Sequence, residues 1–211
     1  MKVYGHPASG CTWKVLATFH EKGHTPDFEL VDITRGAHHT PEHLARHPFG
    51  QVPVLEDGRF RLYESRAIIR YVDAELSGPA LTPTDSWDRA RMEQWISVEC
   101  CNLVPPLMEL VAPLLWGRDP GAEALRRARA RVEAALDVAE GALAQSRGFV
   151  GDAFTLADLS WLPYVQYLFI AGQGALVTAR PALAAWWERA STRPSWQQVM
   201  SRSGRGPEAR S

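Results

Sequence analysis

The sequence predicts two domains of different class, an α/β domain on a mixed sheet and then an all-helical domain. Three observations predict this. Over residues 1–78, short apolar runs broken by Gly and Pro read as strands and helices in the order β-α-β-α-β-β-α. A Pro/Thr-bearing linker, SGPALTPT, follows at residues 77–84. From residue 85 to 200 the apolar pattern is helical throughout, with Ala and Leu recurring at helix spacing.

Each element of the first domain has a local reason. Residues 2–4 form a short apolar run ended by Gly5 and Pro7. Residues 8–22 read as a helix with Val15, Leu16 and Phe19 on one side and Gly23 as its stop. Residues 28–33 are strand-like, and residues 41–46 suit one or two helical turns. Residues 54–56 and 59–62 flank Asp57-Gly58, a strong hairpin signal. Residues 65–76 are helical again.

In the second domain, helices are expected at residues 86–115, 122–145, 156–170 and 181–189. In FTLADLSW, Thr155 caps a helix and Asp158 returns the bond, with Phe154 and Leu159 at staple positions. This reads as structure and not catalysis. Arg126, Arg127, Arg129 and Arg131, interleaved with alanines and opposed by Glu123 and Glu133, read as a solvated face. Trp186, Trp187 and Trp196 read as helix-core aromatics. The stretch 201–211 is polar and is expected to be disordered.

Composition narrows the function classes. Hydrophobic residues make up 45% and charged residues 22%, ordinary for a soluble globular chain. A net charge of −1 gives no reason to expect a nucleic-acid partner. The start, MKVYGHPASG, has no apolar run, so no signal peptide is expected. No stretch approaches the ~20 apolar residues of a membrane span. Cys11, Cys100 and Cys101 are too few for a disulfide scaffold and lack zinc spacing. A cytoplasmic protein with reduced thiols is expected. His38, His39, His43 and His47 resemble a metal cluster, but Pro41 and Pro48 interrupt the segment, and no metal site is assigned.

One stretch resists a plain strand reading. In HPFGQVPVLEDGRFRLYESRAII, Pro53 falls between Val52 and Val54, where it cannot donate a ladder hydrogen bond. A proline there marks an edge, a bulge or a cis bond. Taken with YGHPASGCTWKVL, WISVE and FTLADLSWLPYVQYL, this stretch resembles the phi class of the cytosolic glutathione transferases over residues 1 to about 200.

The resemblance implies a thioredoxin-like first domain, at 1–78, and the helical domain of that family at 85–200. It implies a cis Val52–Pro53 bond, with the N–H and C=O of Val52 facing out to pair with the cysteinyl backbone of glutathione. Glu64-Ser65 opens a helix whose exposed N–H groups suit the γ-glutamyl carboxylate. Gln51, His38 and His39 fall at the glycyl end. Ser9 falls at the catalytic serine, whose hydroxyl donates to the glutathione sulfur and favours thiolate over thiol. Ser is also among the best N-caps, and both roles are compatible.

Cys11 lies two residues beyond Ser9 and about 200° around the helix, so a packing role is expected. The electrophile pocket is expected to involve Ala8, Gly10, Cys11, Leu103, Pro106 and Leu107, with Gly10 leaving a roomier mouth. No cofactor is expected beyond glutathione as co-substrate, and the chain is expected to be a homodimer. The implied function is conjugation of glutathione to hydrophobic electrophiles, with hydroperoxide reduction as a possible extension. The alternatives are a ligandin-like carrier, a thiol transferase using Cys11, and a structural role as in elongation-factor subunits.

Overall fold

A computed structural model describes residues 1–203. The chain divides into two compact units. One contains Met1–Ala80 and, of the described residues, 193–203; the other is Leu81–Thr192.

In the first unit, β1 (Lys2–Gly5) leads to α1 (Gly10–Glu21) and β2 (Asp27–Leu30). Two short 3-10 turns (Ile33–Arg35 and Ala37–His39) and the one-turn α2 (Pro41–Leu44) follow. Then come β3 (Val54–Asp57), β4 (Phe60–Tyr63) and α3 (Ser65–Glu75). The sheet order is β2-β1-β3-β4, with β1 parallel to β2 and antiparallel to β3, and β3 antiparallel to β4. This is the mixed sheet the sequence predicts, with helices α1 and α3 packed together. The strand expected over 28–33 stops at Leu30, because the Asp32 carboxylate caps the next turn by accepting the Thr34 and Arg35 N–H groups. A buried ion pair, Lys22 Nζ to Asp73 Oδ1 at 3.0 Å, ties the end of α1 to α3, and the same ammonium donates to the Pro79 carbonyl.

The second unit holds α4 (Ser86–Val98), a π-helical segment (Glu99–Leu103), α5 (Val104–Trp116), α6 (Ala122–Leu143), α7 (Leu156–Ile170), α8 (Ala175–Thr178) and α9 (Pro181–Ser191). The single helix expected over 86–115 is thus widened at its middle. Pro105 and Pro106 lack N–H groups, so the regular i to i−4 ladder cannot continue through them. The run Ser86–Trp116 is long and apolar enough to cross a membrane by composition, which the sequence reading overlooks. Its Met92, Trp95, Ile96, Leu103, Leu107 and Val111 are buried, and α5 packs against α6 and α7.

The capping box at α7 forms as expected. Asp158 does more than cap. It is fully buried and accepts from the Thr155 N–H (2.9 Å), the Phe149 N–H (3.3 Å) and the Trp186 indole (2.8 Å). Burial pushes its carboxyl pKa up, and these donors oppose that shift.

The last helix, α10 (Pro194–Ser203), returns to the first unit and packs on α1. Trp196 meets Trp13 edge to face at 6.2 Å, and Glu21 accepts from Arg193 (2.6 Å) and from the Ser195 hydroxyl. Residues 201–203, expected to be disordered, are the last residues of this helix. The rest of that stretch, 204–211, lies outside the described residues.

Candidate functional site

Sheet register brings the motifs together. Tyr4 pairs with Val54 and Val54 with Tyr63, so these three residues form one row across β1, β3 and β4. Because β3 runs against both neighbours, β1 and β4 end where β3 begins. The loop after β1, the bend before β3 and the start of α3 therefore open from the same sheet edge. Open α/β sheets usually bind ligands beyond such an edge.

The first loop is held by its own side chains. The Ala8 N–H donates to His6 Nδ1 at 3.1 Å, and the Trp13 indole donates to the Pro7 carbonyl at 2.5 Å. The His6 N–H donates to Thr12 Oγ1 at 3.3 Å. Ser9 ends the loop as the N-cap of α1, with Oγ accepting the Thr12 N–H at 3.3 Å. A hydroxyl has two acceptor lone pairs and one proton. The cap bond uses a lone pair, so the proton stays available for donation at the positive end of α1.

The Val52–Pro53 bond is cis, as the resemblance implies. Pro53 is buried, Val52 half-buried and Gln51 exposed. The buried His43 ring, on α2, approaches the Gln51 carbonyl with Nε2 at 2.8 Å. Thr40 caps α2 by accepting the His43 N–H.

His38 is half-buried, His39 is exposed, and their ring centroids lie 3.8 Å apart. Gly50, at φ +60°, is required against them: a Cβ there would come within 2.8 Å of His39 Nδ1 and 2.9 Å of the His38 carbonyl. His47 is buried, accepts the Phe49 N–H at 3.3 Å and lies 4.7 Å from the Tyr63 ring. Burial, helped by repulsion from neighbouring histidines, lowers the His38 pKa. Burial also lowers that of His47, with Glu64 opposing the shift and His43 adding to it.

Glu64 precedes α3 with φ +72° and ψ +107°, and it is the non-glycine residue with positive φ among those described. Such geometry costs on the order of 1–3 kcal/mol and clusters at functional sites. No side chain caps this helix start. Ser65, at the first helical position, is buried.

Of the residues expected at the electrophile pocket, Ala8 and Cys11 are half-buried and Gly10 is buried in the first unit. In the second unit, Leu103 and Leu107 are fully buried (0% exposed) and Pro106 is buried. The sequence reading misses the roles of His6, Trp13 and His43. Only the histidine clustering hints at the last, and its proline-interrupted spacing gives it no assignment.

A four-stranded mixed sheet with its helices, followed by a helical unit, is the two-part architecture of a thioredoxin-like domain joined to a helical domain. The family model for the glutathione S-transferase N-terminal domain matches residues 1–74, and that for the C-terminal domain matches residues 103–194. The chain belongs to the glutathione S-transferases, and its relatives are of the phi class. It is 39% identical to glutathione S-transferase 3 of Zea mays over 95% of this chain and 93% of that one. The crystal structure of glutathione transferase F2 from Populus trichocarpa superposes with a TM-score of 0.89 at 36% identity, over 97% and 99% of the two chains. Glutathione S-transferase I from mais, in complex with an atrazine glutathione conjugate, superposes at 0.88 with 28% identity, over 97% and 98%.

Proposed function

We propose that this chain conjugates glutathione to hydrophobic electrophiles, with Ser9 as its catalytic residue. The observation that carries the reading is Ser9 itself, an N-cap whose oxygen accepts from Thr12 in a bond that does not use the hydroxyl proton. The hydroxyl donates to the glutathione sulfur, and the start of α1 adds positive potential. Both favour thiolate over thiol, so the thiol proton is released to solvent. The thiolate lone pair then attacks the electrophilic carbon. With an aryl halide, a C–S bond forms and the halide leaves with the electrons of the broken bond.

Val52 pairs with the cysteinyl backbone, and the uncapped start of α3 at Glu64-Ser65 receives the γ-glutamyl carboxylate. Gln51, His38 and His39 take the glycyl end. Glutathione is a co-substrate in this scheme, and the enzyme works in the cytoplasm. The test is turnover with glutathione against aryl halides, isothiocyanates and cumene hydroperoxide. Absence of turnover, with tight binding of a hydrophobic dye, would favour the carrier reading.

The same reading makes the protein a homodimer. Phe49 is 70% exposed, and the second unit carries a groove of about 370 Å³ walled by Val98, Ala134, Ala135 and Val138, with Asn102 and Arg131 at its polar side. In a two-fold dimer each copy gives and receives the same contact, so such features suit one another. Sedimentation of Phe49→Ala tests this: the variant is expected to shift toward monomer.

A further inference from the structure

We propose that His43 is a positioning residue for glutathione, acting through the Gln51–Val52 peptide. The inference rests on the reading above, in which the Val52 N–H is a glutathione contact.

The Gln51 carbonyl and the Val52 N–H belong to one peptide unit, planar and trans, so they point in opposite directions. His43 Nε2 lies 2.8 Å from that carbonyl oxygen. A carbonyl only accepts, so Nε2 carries the proton and donates. His43 as a whole is 2% exposed, which places the carbonyl end of the peptide toward the interior. The N–H end is thereby turned away from the buried ring. A single side-chain bond thus sets the direction of the backbone donor assigned to glutathione, and it polarises that donor as well.

The other ring nitrogen supports the assignment. His43 Nδ1 is buried and has no hydrogen-bond partner among the described residues. In the Nε2–H tautomer the unpartnered atom is a bare lone pair, which is cheaper to bury than an unpartnered N–H. The contacts therefore favour that tautomer over the Nδ1–H one. Its seat is fixed from the other side, since Thr40 caps α2 and holds the His43 backbone. This chain of contacts, from Thr40 through the His43 ring to the Gln51–Val52 peptide, is aimed at the ligand and makes no contact of its own with it.

The test compares His43→Phe, which keeps a flat ring without the donor, with His43→Gln, whose amide NH₂ can take the place of Nε2–H. S-hexylglutathione binding by calorimetry and steady-state kinetics are the readouts. His43→Phe is expected to weaken S-hexylglutathione about 3- to 10-fold, the scale of one net hydrogen bond. The loss is expected in the KM for glutathione more than in kcat, with the KM for the electrophile unmoved, because the Val52 contact serves ground and transition states alike. His43→Gln is expected to recover most of the affinity. A merely structural role would lower thermal stability and kcat together, without rescue by Gln.

Wild-type protein that fails to bind S-hexylglutathione overturns the functional reading and this inference with it. Wild-type binding with an equal affinity in His43→Phe overturns this inference alone. Should His43→Phe fail to fold, imidazole ¹⁵N shifts of the wild type decide the matter. An Nε2–H tautomer that persists in the complex supports the assignment, and an Nδ1–H tautomer overturns it.

Discussion

Two helices of the first unit begin at the same sheet edge and begin differently. α1 starts at Ser9 with conventional extended dihedrals and a side-chain cap, and α3 starts at Glu64 with positive φ and none. Both starts present positive potential, because the first N–H groups of any helix lack intrahelical partners. At α1 the cap satisfies one of these groups and leaves a hydroxyl proton over. At α3 the cap is withheld, and the proposed reading gives its open N–H groups and the Ser65 hydroxyl to the γ-glutamyl carboxylate. The first start suits a charge that changes during reaction, the sulfur. The second suits a charge that stays constant, the carboxylate. A helix start that takes part in chemistry and one that only anchors can therefore be told apart by who occupies the cap.

The sharpest test of that contrast is Ser9→Ala. Turnover on an aryl halide is expected to fall by roughly 10²-fold or more with little change in glutathione affinity, since the hydroxyl bond is stronger to thiolate than to thiol. Titration of the thiolate band in the ultraviolet should show the bound thiol's pKa raised; an unchanged value would sink the assignment.

At the other helix start the expected signature is inverted. Ser65→Ala should weaken S-hexylglutathione on the order of tenfold by calorimetry, the loss of about one charge-assisted bond, while kcat at saturation moves much less. If both variants lowered kcat alike, the division of labour would be wrong.

Acid should act on neither start but on the half-buried and buried histidines of this unit. The lowered pKa values of His20, His38 and His47 mean that the folded state favours the neutral rings. The unfolded chain then binds more protons, so stability is full above the ordinary value of 6.5 and is lost as pH falls below it toward the lowered folded values. Thermal unfolding between pH 7.5 and 5 should show Tm dropping by a few degrees. His38→Asn should reduce that drop; a pH-independent Tm would refute the account.

The smallest effect is expected at Cys11, in the first turn of α1. Cys11→Ser should leave aryl-halide conjugation within about threefold of the wild type, less than 1 kcal/mol. Collapse of conjugation in this variant, with Ser9→Ala still active, would hand the chemistry to the thiol.

Much of this was legible because the site sits on local signals. Ser9 before a helix, Pro53 inside a strand pattern and Glu64-Ser65 at a helix start each show in a few consecutive residues. So do the Asp57-Gly58 hairpin and the Thr155 capping box. What the sequence hid depends on distance or brevity. The His43–Gln51 bond crosses eight residues of irregular chain, where no period exists to place one side chain against another. The four-residue α8 is too short to show a helical period. The π segment lies inside an unbroken apolar pattern, with only Pro105-Pro106 to mark it. And α10 runs into a polar stretch whose composition suggested disorder, although Trp196 and Val199 on it are buried.

That last helix has a consequence for the order of synthesis. Trp13 and Glu21 leave the ribosome early, but their partners Trp196, Arg193 and Ser195 follow only after the whole of Leu81–Thr192 has been made. At about 5–20 residues per second, those roughly 110 residues take on the order of 6 to 20 s. For that interval the nascent sheet unit has a bare tryptophan where its closing helix will sit. The sheet unit is thus the first to be translated and the last to be finished.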